Sequence, residues 1–351
     1  MHVWSGYFAS AQPVHCGVVR LAVKVRTPKA AAGAAGLHYI ADTAPGITRK
    51  GCSGHFYYIG PTGRRIRDKT ILRRIQKLAI PPAWEQVWIA LDAKAHLQAT
   101  GRDVRGRKQY RYHADFAAMR DADKYRHLLK FALALPALRR RLGADMRRKG
   151  LCREKVLATA VILLEQSLIR VGNQSYARDN HSFGLTTLQN RHVHIHGATL
   201  RFLFTGKSGK RWDLAIKDRR VAKVLRGCQE LPGQHLFEYR DDDGTVCAIT
   251  SGDVNAYLRE ISGADITAKD FRTWAGTVEA TAAFAALEGP VTKKAVRAVV
   301  AKVAARLGNT VAVCRKCYIH PAVIEAYEGA NLRLSGGVEK TVLRLLRRGA
   351  A

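Results

Sequence analysis

The spacing of the apolar residues changes near residue 121, and this change constrains the fold more than any other feature of the chain. Before it, short β-prone runs such as His55–Ile59 are separated by turns that contain glycine or proline. After it, apolar residues step by four and three along the segment Leu157–Val171, which is the spacing of one helix face. We therefore expect an α+β fold, with a small β-rich domain over residues 37–121 and a mostly helical domain over residues 122–351.

The segment before residue 37 shows neither pattern. It ends in the small-residue stretch TPKAAAGAAG, and we expect residues 1–36 to form a flexible tail. The sequence has no apolar run near the ~20 residues that cross a bilayer, and its first residues lack the pattern of a secretory signal. Its seven cysteines follow no framework spacing, which favours reduced thiols and a cytoplasmic location.

A β insertion interrupts the helical part of the chain. Residues 200–204 and 212–216 each show β-type alternation, and Gly206–Gly209 between them has the composition of a hairpin tip. We therefore expect a β-hairpin that carries Lys207 at its tip. The same residues match the end of a nucleotide-binding P-loop, but Arg201 stands where that motif requires its first glycine. The sequence therefore predicts no bound nucleotide.

The charge balance points to a polyanionic partner. The chain holds 59 Lys and Arg against 28 Asp and Glu, a formal net charge of +31. Basic side chains that neutralise phosphates release condensed counterions, so a balance of this size favours binding to nucleic acid. A ribosome-associated or nonspecific nucleoid protein would satisfy the charge alone equally well, so the activity must be argued from motifs.

Five residues suited to phosphodiester chemistry follow one another in the order Arg, Lys, Arg, Asn, Tyr. They are Arg170 in LIRVGNQ, Lys207 in LFTGKSGKRW, Arg272 in ITAKDFRTWAG, and Asn309 and Tyr318 at the two ends of NTVAVCRKCY. In this order and context the chain resembles the type IB DNA topoisomerases of the poxvirus and bacterial kind. The resemblance runs from about residue 55 to the C-terminus.

The resemblance implies a role for each of these residues. Tyr318 would attack phosphorus and form a 3′-phosphotyrosyl link, and a phenol with a pKa of about 10 needs cationic help to do so. Arg170 and Arg272 would clamp the non-bridging oxygens with paired guanidinium donors. Lys207 would protonate the leaving 5′ oxygen as general acid. Asn309 stands where poxvirus relatives carry histidine; it would donate a hydrogen bond but cannot donate a proton near neutral pH.

The segment Gly106–Tyr112 matches a DNA-contact strand of the same family. Alternation along a strand would direct Lys108, Tyr110 and Tyr112 to one side and Gln109 to the other. Basic and phenolic side chains suit phosphates and sugars, and an amide can reach a base edge. The DNA-binding residues expected here are Arg107, Lys108, Gln109, Tyr110 and Tyr112. A solvated basic strand is the alternative interpretation.

The resemblance implies a bacterial enzyme, independent of ATP, metal and other cofactors, that relaxes supercoiled double-stranded DNA by transient single-strand cleavage and resealing. It also implies a nucleoid-associated monomer that clamps the duplex, with a catalytic domain resembling tyrosine recombinases. A tyrosine site-specific recombinase is the enzymatic alternative, although its usual His-x-x-Arg is Lys269-x-x-Arg272 here. A basic nucleoid-binding protein without enzymatic activity is the other alternative.

Two further patterns do not favour a metal site. Cys314 and Cys317 form a CxxC pair, but no second pair follows at zinc spacing. His192, His194 and His196 alternate as on one face of a strand, without a nearby acidic ligand. We expect two unligated thiols beside the nucleophile and a solvated histidine face.

Overall fold

The computed structural model describes residues 27–348. Over this range the chain divides into two compact units, residues 27–125 and residues 126–348. The sequence analysis placed a boundary after Asp121, whereas these units divide after Tyr125. The first unit is built on a β-sheet and the second is mostly helical.

The first unit contains a five-stranded antiparallel sheet in the order β2-β1-β3-β4-β5. Its elements are α1 (Pro28–Ala34), β1 (Gly46–Lys50), β2 (Tyr57–Ile59), α2 (Lys69–Lys77), β3 (Glu85–Ala90), β4 (Leu97–Arg102) and β5 (Lys108–Tyr112). Helix α2 begins after Asp68, whose carboxylate accepts hydrogen bonds from two amides in the first turn of the helix, those of Thr70 and Ile71. It buries Ile75 against Ile47 and Ile89 of the sheet. Strand β5, the predicted DNA-contact strand, lies at the edge of the sheet.

Helix α1 corrects part of the expected tail. The hydroxyl of Thr27 caps the helix, and the alanines that follow have the highest helix propensity of all residues. Ala32 is fully buried in a small cluster with Phe116. The prediction of a flexible tail was therefore wrong for residues 28–34, while residues 1–26 lie outside the described residues.

The second unit packs helices around a three-stranded sheet (β6-β7-β8) and a two-stranded sheet (β9-β10). Its elements are α3 (Ala114–Asp145), which begins in the first unit, α4 (Arg153–Ser167), α5 (Gln174–Asn180), β6 (Val193–His196), β7 (Thr199–Thr205), β8 (Arg211–Lys217), α6 (Arg219–Gln229), β9 (Glu238–Arg240), β10 (Val246–Ala248), α7 (Ser251–Ser262), α8 (Ala268–Ala285), α9 (Lys293–Leu307), α10 (Val311–Cys317), α11 (Pro321–Glu328) and α12 (Val338–Arg348). The molecule thus combines an N-terminal strand sheet with a helical core.

Helix α4 lies at the centre of the second unit. Its apolar residues are buried in one cluster with residues of α3, α6, α7 and α8. The helix ends at Ser167, whose hydroxyl accepts a hydrogen bond from the amide of Ile169 at 3.1 Å, and Leu168 adopts a left-handed conformation with φ 58°. The predicted continuation of this helix to Val171 was therefore wrong, and the chain leaves the helix just before Arg170.

Strands β7 and β8 pair antiparallel, with Phe204 opposite Trp212. Alternate residues of β7 are buried, because this face of the sheet covers the helical core. Residues 206–210 connect the two strands and contain Lys207. A Cβ at Gly206 would lie 2.7 Å from the indole nitrogen of Trp212, so this connection requires glycine where the ring packs against it.

The predicted face of three histidines was wrong. His192 belongs to a short 3₁₀ turn before β6, where it is buried with its ring centroid 4.4 Å from that of Phe183. Only His194 and His196 lie on the strand, and both are exposed. Among the helices of residues 27–348, none combines the length and apolar character that a bilayer crossing needs.

Candidate active site

Arg272 joins two helix ends in the interior of the second unit. It projects from α8 and is only 4% exposed. Its guanidinium donates through Nη1 to the carbonyl of Leu168 and through Nη2 to the carbonyl of Leu307 at 2.5 Å. These carbonyls end α4 and α9, where main-chain acceptors lack helical partners. The buried cation therefore fixes the positions of the two segments that leave these helices.

Each of those segments carries a predicted site residue two positions further on. Arg170 follows Leu168, and Asn309 follows Leu307. The Nη2 group of Arg170 donates to Oδ1 of Asn309 at 2.5 Å and to the carbonyl of Gly308 at 3.1 Å. The structure thus brings Arg170, Arg272 and Asn309 together around the ends of α4 and α9.

Tyr318 follows α10 and lies against the same arginine. The Cζ atom of Arg272 is 5.3 Å from the centroid of its ring, within cation–π range. Its amide donates to the carbonyl of Cys314 at 2.9 Å, which closes the last turn of α10. Its own carbonyl accepts from the hydroxyl of Thr277 at 3.3 Å. The main chain of Tyr318 is therefore held from both α10 and α8, while its side chain remains partly exposed.

Gly276 permits this contact between α8 and Tyr318. A Cβ at this position would lie 2.6 Å from the Tyr318 carbonyl oxygen and 3.2 Å from its Cβ. No side chain larger than hydrogen fits there without displacing one of the two segments. The sequence interpretation missed Gly276 and Thr277, although Gly276 follows Arg272 by four positions and so lies on the same helix face.

The two arginines raise the electrostatic potential of the site. Burial, together with the nearby charge of Arg170, lowers the pKa of Arg272 to about 10, although Tyr318 opposes both effects. Burial also lowers the pKa of Arg170. The two guanidinium groups are therefore close together, and that of Arg272 has little contact with water. An anion placed between them would relieve both the desolvation and the repulsion.

Lys207 and Arg170 line the same cleft, which has a volume of about 270 Å³. Phe204 and Trp212 form part of its apolar wall. Lys210 donates from Nζ to the carbonyl of Ala305 at 2.9 Å, so the β7–β8 connection is attached to the end of α9. The structure therefore places the Lys207 segment beside the cluster of Arg170, Arg272, Asn309 and Tyr318.

Strand β5 presents the residues predicted to contact DNA. Lys108, Tyr110 and Tyr112 share its exposed side, and the two tyrosine rings stack with centroids 6.0 Å apart. Lys108 forms an ion pair of 2.5 Å with Asp42, which the sequence did not reveal because the two residues are distant in the chain.

The other side of the strand is organised by Asp103. Its carboxylate accepts from Nε2 of Gln109 and from Nε of Arg107, both at 2.9 Å. The hydrogen bond from Arg107 lowers the pKa of this carboxyl to about 2, so the group acts only as an acceptor. One of the two amide hydrogens of Gln109 is therefore held by Asp103, which orients the side-chain amide along this side of the strand.

Two families match this chain, and both contain DNA topoisomerases. The family described as eukaryotic DNA topoisomerase I, catalytic core, matches residues 113–342. The family described as bacterial DNA topoisomerase IB, N-terminal domain, matches residues 55–103.

Similar proteins point to the same class. DNA topoisomerase 1B of Acanthamoeba polyphaga mimivirus is 31% identical over 295 residues, covering 81% of this chain and 88% of the relative. DNA topoisomerase I of Monkeypox virus and DNA topoisomerase 1B of Vaccinia virus (strain Copenhagen) are each 22% identical over 251 residues, covering 71% of this chain and 77% of each relative. The chain therefore belongs to the type IB DNA topoisomerase family.

Proposed function

We propose that this enzyme relaxes supercoiled duplex DNA by cutting and resealing one strand, with Tyr318 as the nucleophile. The observation that carries the proposal is the position of the Tyr318 ring against Arg272, beside the second desolvated arginine, Arg170. A phenol ionises at a pKa of about 10 in water. An adjacent guanidinium stabilises the negative charge that develops on the phenolic oxygen as the proton leaves. The resulting phenolate is a stronger nucleophile than the phenol.

Cleavage follows as an in-line displacement at phosphorus. Tyr318 gives its phenolic proton to water, and its oxygen forms a bond to phosphorus as the bond to the 5′ oxygen breaks, leaving a 3′-phosphotyrosyl link. Lys207 gives its proton to the departing 5′ oxygen, which leaves as a hydroxyl. Resealing is the reverse, with the 5′-hydroxyl attacking the phosphotyrosine and returning its proton to Lys207. The link keeps the energy of the phosphodiester, so the cycle consumes no nucleotide.

Arg170, Arg272 and Asn309 stabilise the charge that develops on the non-bridging oxygens. In the structure, the donors of Arg170 and Arg272 are directed at Asn309 and at main-chain carbonyls. A phosphodiester that enters the site exchanges some of these partners for its own oxygens, which are stronger acceptors because they are charged. Asn309 contributes a hydrogen-bond donor once its Nδ2 group, which donates to the carbonyl of Leu307 at 3.4 Å in the structure, turns to the phosphate.

The DNA-binding assignments belong to the same proposal. The exposed side of β5, with Lys108, Tyr110 and Tyr112, contacts the sugar-phosphate backbone, assisted by Arg107, while Gln109 meets a base edge. The enzyme acts as a monomer on double-stranded DNA in the nucleoid. The catalytic unit resembles tyrosine recombinases and presents Lys207 on a β-hairpin.

Relaxation of a supercoiled plasmid in EDTA without nucleotide tests the activity. The wild type should relax both positive and negative supercoils, because rotation about the intact strand responds to torque of either sign. Tyr318→Phe removes one hydroxyl and no charge, so it should abolish the covalent adduct while leaving DNA affinity unchanged.

Denaturant trapping followed by peptide mapping tests the assignment of the nucleophile. The attached DNA should be recovered on Tyr318 through a 3′-phosphate. Recovery on Tyr327, attachment through a 5′ end, or a strict need for magnesium or ATP would overturn the proposal.

A further inference from the structure

Two cysteines lie on the short helix that leads into the nucleophile. Cys314 and Cys317 are three residues apart on α10, so they share one face across a single turn. Cys314 is fully buried, whereas Cys317 is partly exposed, and both thiols are free in the structure. The segment therefore combines an accessible thiol with a protected one at short range.

The geometry of one helical turn is close to that of a disulfide, but not identical to it. Residues three apart on a helix have Cβ atoms about 5–6 Å apart, whereas a disulfide needs a Cβ separation of about 3.5–4.5 Å. A bond between Cys314 and Cys317 would therefore tighten or distort the last turn of α10. The two reduced thiols are compatible with the helical geometry of α10, whereas a disulfide between them would change it.

This turn is coupled directly to Tyr318. The Tyr318 amide donates to the carbonyl of Cys314, and Cys317 is its chain neighbour. On the other side, Thr277 and Gly276 hold the Tyr318 carbonyl against α8. Because α8 is fixed in the core, a distortion of α10 must be taken up at Tyr318 and change its position relative to Arg272.

We propose that Cys314 and Cys317 are an oxidation site that reversibly switches off DNA cleavage, with a peroxide as the oxidant. The switching rests on the proposed role of Tyr318. The Cys317 thiolate attacks one peroxide oxygen, the O–O bond breaks, and a sulfenic acid and water result. The Cys314 sulfur then attacks the Cys317 sulfur, expelling the second oxygen as water and forming the disulfide. The two electrons lost by the thiols reduce the peroxide, and a dithiol reductant reverses the reaction.

Burial assigns the order of these steps. Burial raises the pKa of Cys314 to about 11, although the charge of Arg272 opposes the effect. A thiol with so little thiolate reacts slowly with peroxide itself. Cys317 is therefore oxidised first, and Cys314 reacts only once the sulfenic acid has formed beside it.

Titration of the full-length enzyme with hydrogen peroxide tests the proposal. The wild type should lose cleavage by on the order of 10²-fold, as expected for a displaced nucleophile, and recover it with dithiothreitol. Trypsin cuts after Arg315 and Lys316, so in the oxidised protein the two cysteine peptides should remain joined until reduction. Cys317→Ser should cleave DNA as well as the wild type before treatment and keep that activity afterwards.

Matched variants separate this site from general oxidation. Cys52→Ser removes an exposed thiol elsewhere and should remain as sensitive as the wild type. Cys314→Ala removes the second thiol of the disulfide, so its peptides should not be joined after peroxide treatment. Alanine is apolar, so this variant places no polar group in the buried position. Equal loss of activity in the wild type and in Cys317→Ser, or full activity in protein whose peptides are joined, would overturn the switch. The joined peptides should also form in Tyr318→Phe, so the disulfide is measured even if the proposed cleavage chemistry fails.

Discussion

Gly276→Ala is expected to damage the site without replacing any residue that carries chemistry. The glycine lies inside α8, where the added Cβ would stand 2.6 Å from the Tyr318 carbonyl oxygen. Ordinary contacts of this kind begin near 3.4 Å, so α8 and the Tyr318 segment must separate by about 0.8 Å. A displacement of about 1 Å in a reacting group can cost about 100-fold in rate, and we expect a loss of that order in DNA cleavage.

Two opposing effects set the stability of the same variant. Alanine has about 1 kcal/mol more favourable helix propensity than glycine, whereas overpacking a filled core costs about 1–3 kcal/mol. The free energy of unfolding should therefore fall by at most about 2 kcal/mol, and the protein should remain folded. The loss of rate should exceed what this loss of stability can explain.

Single-turnover cleavage of a nicking substrate, together with urea unfolding, measures both quantities. Gly143→Ala is the matched control, since its added Cβ would find Arg147 Nη1 as its nearest neighbour, at 3.8 Å, on a helix of the same unit. This control should gain up to about 1 kcal/mol of stability and cleave DNA as the wild type does. Cleavage by Gly276→Ala at the wild-type rate would refute the argument that α8 positions Tyr318.

Three further predictions concern charge and proton transfer. Lys207→Ala should slow cleavage by about 10²–10⁴-fold. A substrate with sulfur in place of the bridging 5′ oxygen should restore the rate of this variant, whereas Arg272→Ala should recover far less on the same substrate. Equal rescue of the two variants would exclude Lys207 as the acid. DNA affinity should fall steeply between about 50 and 200 mM salt because of the net charge of +31, and a flat response would contradict this. Nε2 of His127 lies 3.2 Å from the Asp270 carboxylate, and this hydrogen bond raises the pKa of the histidine. The charge of Asp265 also raises the pKa, and that of Lys130 lowers it. This contact stabilises the protein fully below the ordinary pKa of 6.5 and is lost as pH rises through the raised value, so His127→Gln should lower Tm more at pH 5 than at pH 9, and an equal effect would exclude it.

The elements that the sequence predicted correctly are those with a strong local pattern. Thr292 and Gly308 begin and end α9 as their residue types suggest, since one caps amides and the other accepts a left-handed conformation. The family and its enzymatic class followed from motif order, which the comparisons confirm. The roles of the individual site residues remain predictions.

The elements that the sequence missed depend on partners distant along the chain. The hydrogen bond from Arg272 to Leu168 spans 104 residues, so no local pattern reveals it. Helix α1 is too short to be stable alone, and its burial beside Phe116 completes what its alanines begin. The early end of α4 is held by the hydroxyl of Ser167 and by Arg272 from another helix, within a stretch whose apolar periodicity continues past it.

The buried position of Arg272 connects the stability of the fold to its proposed chemistry. Its pKa falls from 12.5 to about 10, which corresponds to about 3 kcal/mol against the charged form. The group stays protonated at neutral pH, so this free energy opposes folding in the absence of an anion. In the proposed reaction, a phosphodiester between Arg170 and Arg272 would supply the missing counter-charge and offset the repulsion between them. In the proposed reaction, the repulsion that weakens the DNA-free enzyme would therefore favour the transition state, because charge on the phosphoryl oxygens is greatest there.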